Sequence, residues 1–173
     1  MKDFVLKDSW VARVKEQWSH FEAAGLKWEF SPHLLAAIAL RETRCQSILG
    51  DSGHGHGIMQ IDDHSYRDIK RQPWKDPAWN IDKGASILQE KWDYLADHTE
   101  LEDEKLLWFS VAAYNCGQGN MTKVWQRYQA ELDALAVDTD RFMVIASSKT
   151  WNHDYCQEVY SHYTKLKTLI VGA

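Results

Sequence analysis

The most constraining feature of this sequence is the junction between an apolar run and a glycine-punctuated loop. Residues 34–43 read LLAAIALRET, and Leu34, Leu35, Ile38 and Ala39 fall on one face of a helix. Glu42 continues that face, four residues after Ile38 and seven after Leu35. A carboxylate where the next core residue belongs breaks the local pattern, and such breaks mark functional sites. It also lies near the helix C-terminus, where the backbone dipole disfavours negative charge, and partial burial acts in the same direction. Both favour the protonated form, which a general acid working near neutral pH requires. Taken alone, a glutamate here has a plainer alternative, an ion pair with Arg41 or Arg44 at the helix rim.

The next residues are Gly50-Asp51-Ser52-Gly53-His54-Gly55-His56-Gly57, followed by Ile58-Met59-Gln60-Ile61-Asp62-Asp63. Alternate glycines permit tight turns and close approach of backbone to a ligand. The short apolar run after them, bounded by turn residues, predicts a small strand or hairpin. Two later segments complete the pattern: Ala113-Tyr114-Asn115-Cys116-Gly117 and Asp154-Tyr155-Cys156-Gln157-Glu158-Val159. Together with Glu42-Thr43 and the glycine-rich stretch, these segments resemble the goose-type lysozymes and, more broadly, the soluble lytic transglycosylase superfamily. The resemblance covers roughly residues 31 to 166, and its motifs in the right order form a specific signal. It implies an α+β, predominantly α, lysozyme-like fold with a small β-hairpin beside the catalytic helix.

Splitting a glycosidic bond usually takes two carboxyl groups, one to protonate the departing oxygen and one to activate water or attack. The resemblance makes Glu42 the acid, with Asp62 and Asp51 as candidates to position water. An inverting hydrolase holds such a pair roughly 6.5–9.5 Å apart. Lytic transglycosylases resemble this chain at the glutamate, at Gly-Ile-Met-Gln-Ile and at Ala-Tyr-Asn-x-Gly, yet generally lack the acidic partner. In them the muramic acid's own 6-hydroxyl attacks and leaves a 1,6-anhydro product. With both aspartates present, the expectation is a peptidoglycan muramidase that hydrolyses the β-1,4 bond between N-acetylmuramic acid and N-acetylglucosamine with inversion. A lytic transglycosylase is the alternative on the same substrate, and a non-catalytic peptidoglycan-binding protein is the alternative of another class. Without the resemblance, Asp51 in Gly-Asp-Ser-Gly reads as an ordinary turn residue.

The resemblance further implies that Gln60, Tyr114, Asn115, Ile58 and Met59 line the sugar cleft, with Tyr155 matching a cleft tyrosine. Amides meet both donor and acceptor demands of an N-acetyl group, and tyrosine offers a flat face with a hydroxyl. Departures from the family pattern are Thr43 in place of serine, Cys116 in place of a small residue, and a shorter segment between Glu42 and Gly50. The family's histidine after the hairpin is out of register, leaving His64 or Tyr66 as substitutes. His54 and His56, two apart on a strand, would point the same way and could converge on a metal. Gly-interrupted histidines are more often turn residues, so no metal and no cofactor are expected.

Along the chain, apolar spacing predicts a first helix over 8–25 stopped by Gly25, and a second opened by Ser31-Pro32. A helical turn is predicted over 65–70 and a break at the prolines of 72–77. Further helices are predicted over 80–98, 105–116, 120–135 and 152–169. Residues 138–149 fit strand or helix. No repeat or linker interrupts the 173 residues, so a single domain over 1–173 is expected. A formal net charge of −5 argues against nucleic acid as a partner, and no apolar stretch reaches membrane-spanning length. The three cysteines, Cys45, Cys116 and Cys156, lack zinc-site spacing and read as small buried hydrophobes. The nine tryptophans could stack on sugars, but Trp18, Trp92 and Trp108 fall on core faces and are expected to be buried. The expected partner is peptidoglycan glycan strands, and the expected state is a monomer. The opening MKDFVLKDSW is no secretory signal. The expected settings are therefore a phage endolysin, a secretion-system effector or a processed secreted enzyme, acting at the bacterial cell wall, extracellular or periplasmic.

Overall fold

Ser31-Pro32 opens a helix as the sequence predicts, and in the computed structural model, which describes residues 2, 4–135 and 139–170, that helix is α3 (Pro32–Thr43). Contacts divide the chain into two compact units, and each is described by itself. The first comprises residues 4–86 and 159–170, the second mainly residues 87–158.

In the first unit α3 is the centre. Residues 34–40 are all exposed by 2% or less, so the helix is buried on every side rather than along one stripe. It packs against α1 (Asp8–Glu16) and α2 (Trp18–Trp28). The single helix predicted over 8–25 is therefore two, broken at Gln17 (φ −104°, ψ 7°). Gly25 does not end the second. The helix runs on to Trp28 and turns at Glu29 in a left-handed conformation (φ 59°). Glycine is needed at position 25 because a Cβ there would lie 2.6 Å from the Phe30 carbonyl oxygen, where the chain folds back over the helix.

After α3 come three strands of two residues each: β1 (Leu49–Gly50), β2 (Gly55–His56) and β3 (Ile61–Asp62). They form an antiparallel sheet in the order β1-β2-β3, with Gly50 opposite Gly55 and Gly55 opposite Asp62. The predicted turn near 65–70 is a 3-10 turn at Ile69–Arg71. The predicted break ends where Pro77 opens α4 (Pro77–His98).

The second unit is built on α5 (Asp103–Cys116), which packs against α6 (Gln118–Asp133) and α7 (Thr139–Ser148). The α5 ring of Phe109 meets Trp125 edge-on at 6.4 Å and Phe142 at 6.0 Å. Residues 139–148 are a helix because Phe142, Met143 and Ala146 are buried at helical spacing, whereas a strand would bury alternate residues. The predicted start of that segment, Asp138, lies outside the described residues. The last helix, α8 (Tyr155–Leu169), begins in this unit and ends in the first. Trp18 and Trp108 are core residues at 9% and 1% exposure, while Trp92 is half-buried. The fold is thus α+β and mostly α, lysozyme-like, with a small antiparallel sheet. No described helix is long and apolar enough to cross a membrane.

Candidate functional site

The last turn of α3 delivers Glu42, half-buried, to the edge of the first unit's core. Directly after it the chain reverses through two left-handed non-glycine residues, Arg44 (φ 55°) and Cys45 (φ 58°). Their N–H groups donate to the carbonyls of Leu40 and Ala39, closing the helix end. Such conformations cost energy and cluster at functional sites. Thr43 latches this end to the hairpin. Its hydroxyl lies 2.8 Å from the Ile58 carbonyl and 3.2 Å from that of Ala39, and accepts the Gln46 N–H. The hydroxyl that the resemblance singled out therefore fixes the sheet relative to Glu42.

The hairpin is held from beneath by Asn80, which is fully buried on α4. Its Oδ1 accepts the Met59 N–H at 2.8 Å and its Nδ2 donates to the His56 carbonyl at 3.0 Å. Gly57 (φ 79°) lies so close that a Cβ would stand 2.3 Å from Asn80 Nδ2. Sequence reasoning passed over Asn80, whose only signal was a polar residue inside an otherwise apolar helical face. The expected sugar-lining residues Ile58 and Met59 are 2% and 0% exposed, so their side chains belong to the core. Gln60 (φ 48°) folds back on the sheet: its Nε2 donates to the carbonyls of Gly57 and Ile48, and its Oε1 occupies the space left by Gly50 and Gly55.

The aspartates differ in kind. Asp51 is exposed, at the head of a left-handed turn through Ser52 (φ 55°) and Gly53 (φ 100°). Asp62 is half-buried, and both its oxygens are engaged. Oδ1 lies 3.2 Å from the His64 amide nitrogen and 3.0 Å from its Nδ1, while Oδ2 accepts the Ser65 N–H at 3.0 Å and the Ser65 hydroxyl at 2.7 Å. Desolvation works against ionisation of Asp62, but the hydrogen bonds from Ser65 and His64 outweigh it and hold the carboxyl below its usual range. It caps a turn, a role its short acceptor side chain favours.

Asp63, which the sequence reading did not single out, is the buried one. Lys70 Nζ sits 2.6 Å from Oδ2, His54 Nδ1 2.8 Å from Oδ1 and His56 Nε2 3.3 Å from Oδ2. The Lys70 ammonium first, then His54 and His56, against the opposing effect of burial, hold the Asp63 carboxyl well below the ordinary range. The two histidines thus converge, as their spacing allowed, on a carboxylate. His54, Asp63 and His64 each bring one potential ligand atom within 4.8 Å of the others, so these three could hold a cation. The Lys70 ammonium already answers the Asp63 charge. A depressed carboxyl stabilises the fold above the unfolded value of about 3.9, and that contribution is lost as pH falls through the folded value. Asp63→Asn should therefore lower the melting temperature at pH 7 and flatten its decline below about pH 4, as thermal melts from pH 7 to 3 would record.

In the second unit Tyr114 and Asn115 end α5 half-buried, and Asn115 Oδ1 accepts from Asn152 Nδ2 at 3.2 Å. Tyr155, expected in the cleft, is only 2% exposed and belongs to the core. All three cysteines are free thiols, Cys45 and Cys156 buried and Cys116 half-buried. Burial pushes Cys45 and Cys156 up to about 12 and Cys116 to about 11, so none is a nucleophile at neutral pH.

Comparison with known proteins gives the chain its relatives. Residues 19–137 match the family model described as the transglycosylase SLT domain, and the match takes in parts of both units. Membrane-bound lytic murein transglycosylase F of Pseudomonas fluorescens is 26% identical over 143 residues, covering 80% of this chain and 29% of its own length. The X polypeptide of Escherichia coli is 27% identical over 161 residues, 86% of this chain and 74% of its own. A glycine, glutamate and proline-rich protein of Lottia gigantea is 31% identical over 130 residues, 69% of this chain and 31% of its own. The chain thus spans under a third of the length of the first and third of these. The match is to the wider transglycosylase family and not to the goose type in particular.

Proposed function

Because this chain belongs to the transglycosylase SLT domain family, we propose that it acts as one domain on peptidoglycan as a lytic transglycosylase, with Glu42 as its acid and base. This replaces the hydrolytic expectation. Glu42 gives its proton to the glycosidic oxygen between N-acetylmuramic acid and N-acetylglucosamine as the C1–O bond breaks. The resulting carboxylate takes the proton of the muramic acid 6-hydroxyl as that oxygen bonds to C1. Glu42 is protonated again, a 1,6-anhydro ring closes, and no water is consumed.

The observation that carries this reading is the engagement of Asp62. A water-activating base needs an available lone pair directed at the water, and the Asp62 oxygens already accept four hydrogen bonds from His64 and Ser65. Asp51 stands exposed on a turn. The name of the Pseudomonas fluorescens relative, a lytic murein transglycosylase, supports this reading. Tyr114 and Asn115 keep the sugar-contacting role that the resemblance assigns. The working location is wherever peptidoglycan lies, periplasm or cell wall.

Mass spectrometry of muropeptides after digestion tests this directly, since anhydro and reducing ends differ by one water. The expected products carry anhydro-muramyl ends, and Asp62→Asn keeps that product type. Its cost falls on stability, through the lost turn, more than on the chemical step. Reducing ends from the wild type, together with abolition of turnover by Asp62→Asn or Asp51→Asn, would return the protein to the hydrolases.

A further inference from the structure

One cavity of the second unit lies outside the machinery described so far. It begins one residue beyond Asn115, at Cys116, runs along α6 and is closed by residues 149–151, with a volume of about 340 Å³. That is the lower end of the range for small-ligand pockets, roughly 300–1,000 Å³. Its walls are cationic: Lys123 and Arg127 from α6, and Lys149 from the segment after α7. Lys149 is matched by Glu131 at 3.3 Å and lies over the Tyr128 ring at 4.4 Å. Lys123 and Arg127 have no ion-pair partner among the described residues.

This arrangement runs against local helix energetics. Positions four apart on a helix are neighbours, and like charges there repel. The chain carries a formal net charge of −5, yet it gathers three cations around one hollow with one counterion. Trp151, 73% exposed, and Tyr128 add aromatic walls. The lining suits an anion borne on a short, partly apolar chain: ammonium and guanidinium groups for the charge, a Val124 and Cys116 floor for methyl and methylene groups.

We propose that this pocket binds a carboxylate of the peptidoglycan stem peptide, so that the protein reads the peptide as well as the sugar. The inference rests on the peptidoglycan reading above, because the stem is the part of that polymer that carries carboxylates on a short peptide. The pocket's wall residue Cys116 directly follows Tyr114 and Asn115 at the end of α5, and a stem leaves its muramic acid at the sugar, so one strand can present both groups.

The test uses the whole chain and two arms. In the first, binding of muramyl tetrapeptide, and of the same compound with its carboxylates amidated, is followed by calorimetry for the wild type and for the double variant Lys123→Gln, Arg127→Gln. Both side chains are exposed on α6, so the fold should survive, as circular dichroism would record. The wild type should bind the acid form, and either amidation or the double variant should weaken binding about tenfold, as expected of charge-assisted contacts at a partly solvated site. The charge-preserving pair Lys123→Arg, Arg127→Lys should restore much of it. Equal binding of acid and amide, equal binding by wild type and double variant, or no binding by the wild type would overturn the proposal. In the second arm the wild type digests peptidoglycan with stems intact and peptidoglycan stripped of them by an amidase. Its kcat/KM should be the higher on intact strands, and the double variant should lose that preference. A wild type that shows no preference would also overturn the proposal. Failure to cleave either strand would instead overturn the transglycosylase reading and leave the calorimetry to decide the pocket.

Discussion

Replacing Glu42 by glutamine should abolish wall cleavage while leaving the fold intact. Glutamine keeps the shape of the side chain, and the residue sits half-buried at the end of α3 rather than in the fully buried run of residues 34–40, so packing is undisturbed. What is lost is the one carboxyl group that the proposed mechanism uses, first as acid and then, ionised, as base. General acid–base catalysis contributes about 10²–10⁴ in rate, and removing both roles from one residue places the expected loss at the upper end or beyond. Turbidity clearing of purified walls, with circular dichroism and a thermal melt of the same sample, would measure it. A folded variant that clears walls at near the wild-type rate would remove Glu42 from the chemistry and the family mechanism with it.

The largest stability effect is expected from Asn80→Ala. Asn80 is fully buried and its amide serves two backbone groups of the hairpin, the Met59 N–H at 2.8 Å and the His56 carbonyl at 3.0 Å. Alanine removes both hydrogen bonds at a fully buried position, and a buried polar group left without its partner costs about 1–3 kcal/mol. The two together should lower stability by about 2–6 kcal/mol. Urea denaturation of wild type and variant gives the difference directly. Asn80→Asp should also destabilise, because it removes the donor to His56 and buries a charge. If either variant lost less than about 0.5 kcal/mol, within the range of ordinary surface changes, the hairpin would not depend on this residue. Activity should fall with stability in both, since the sheet is latched to the last turn of α3 through Thr43 and Ile58.

Much of this protein was legible in one dimension. The helix opened by Pro32, the buried α5, and Glu42 as a carboxylate on an apolar face all follow from side-chain spacing, which a helix converts into direction without help from the rest of the chain. The glycine-rich turn was legible too, since only glycine and a few tolerant residues accept left-handed backbone. The remainder depended on groups that only folding brings into contact. Gly25 looked like a stop and is a crossing point, because the Phe30 carbonyl returns over it. Tyr155, Ile58 and Met59 stood in motifs that suggested a cleft, and neighbours from elsewhere in the chain bury them.

The two adjacent aspartates mark the boundary between what sequence and tertiary structure decide. Their order along the chain says nothing of which faces the turn and which the Lys70 ammonium. Folding gives Asp62 to His64 and Ser65, and Asp63 to Lys70 and the two histidines. Sequence determined that acidic groups would follow Glu42's helix in the glycine-rich hairpin. Asp62 takes its donors from the two residues that follow Asp63, whereas Asp63 takes His54, His56 and Lys70 from across the folded hairpin, and a carboxylate's role is set by the donors that folding brings around it.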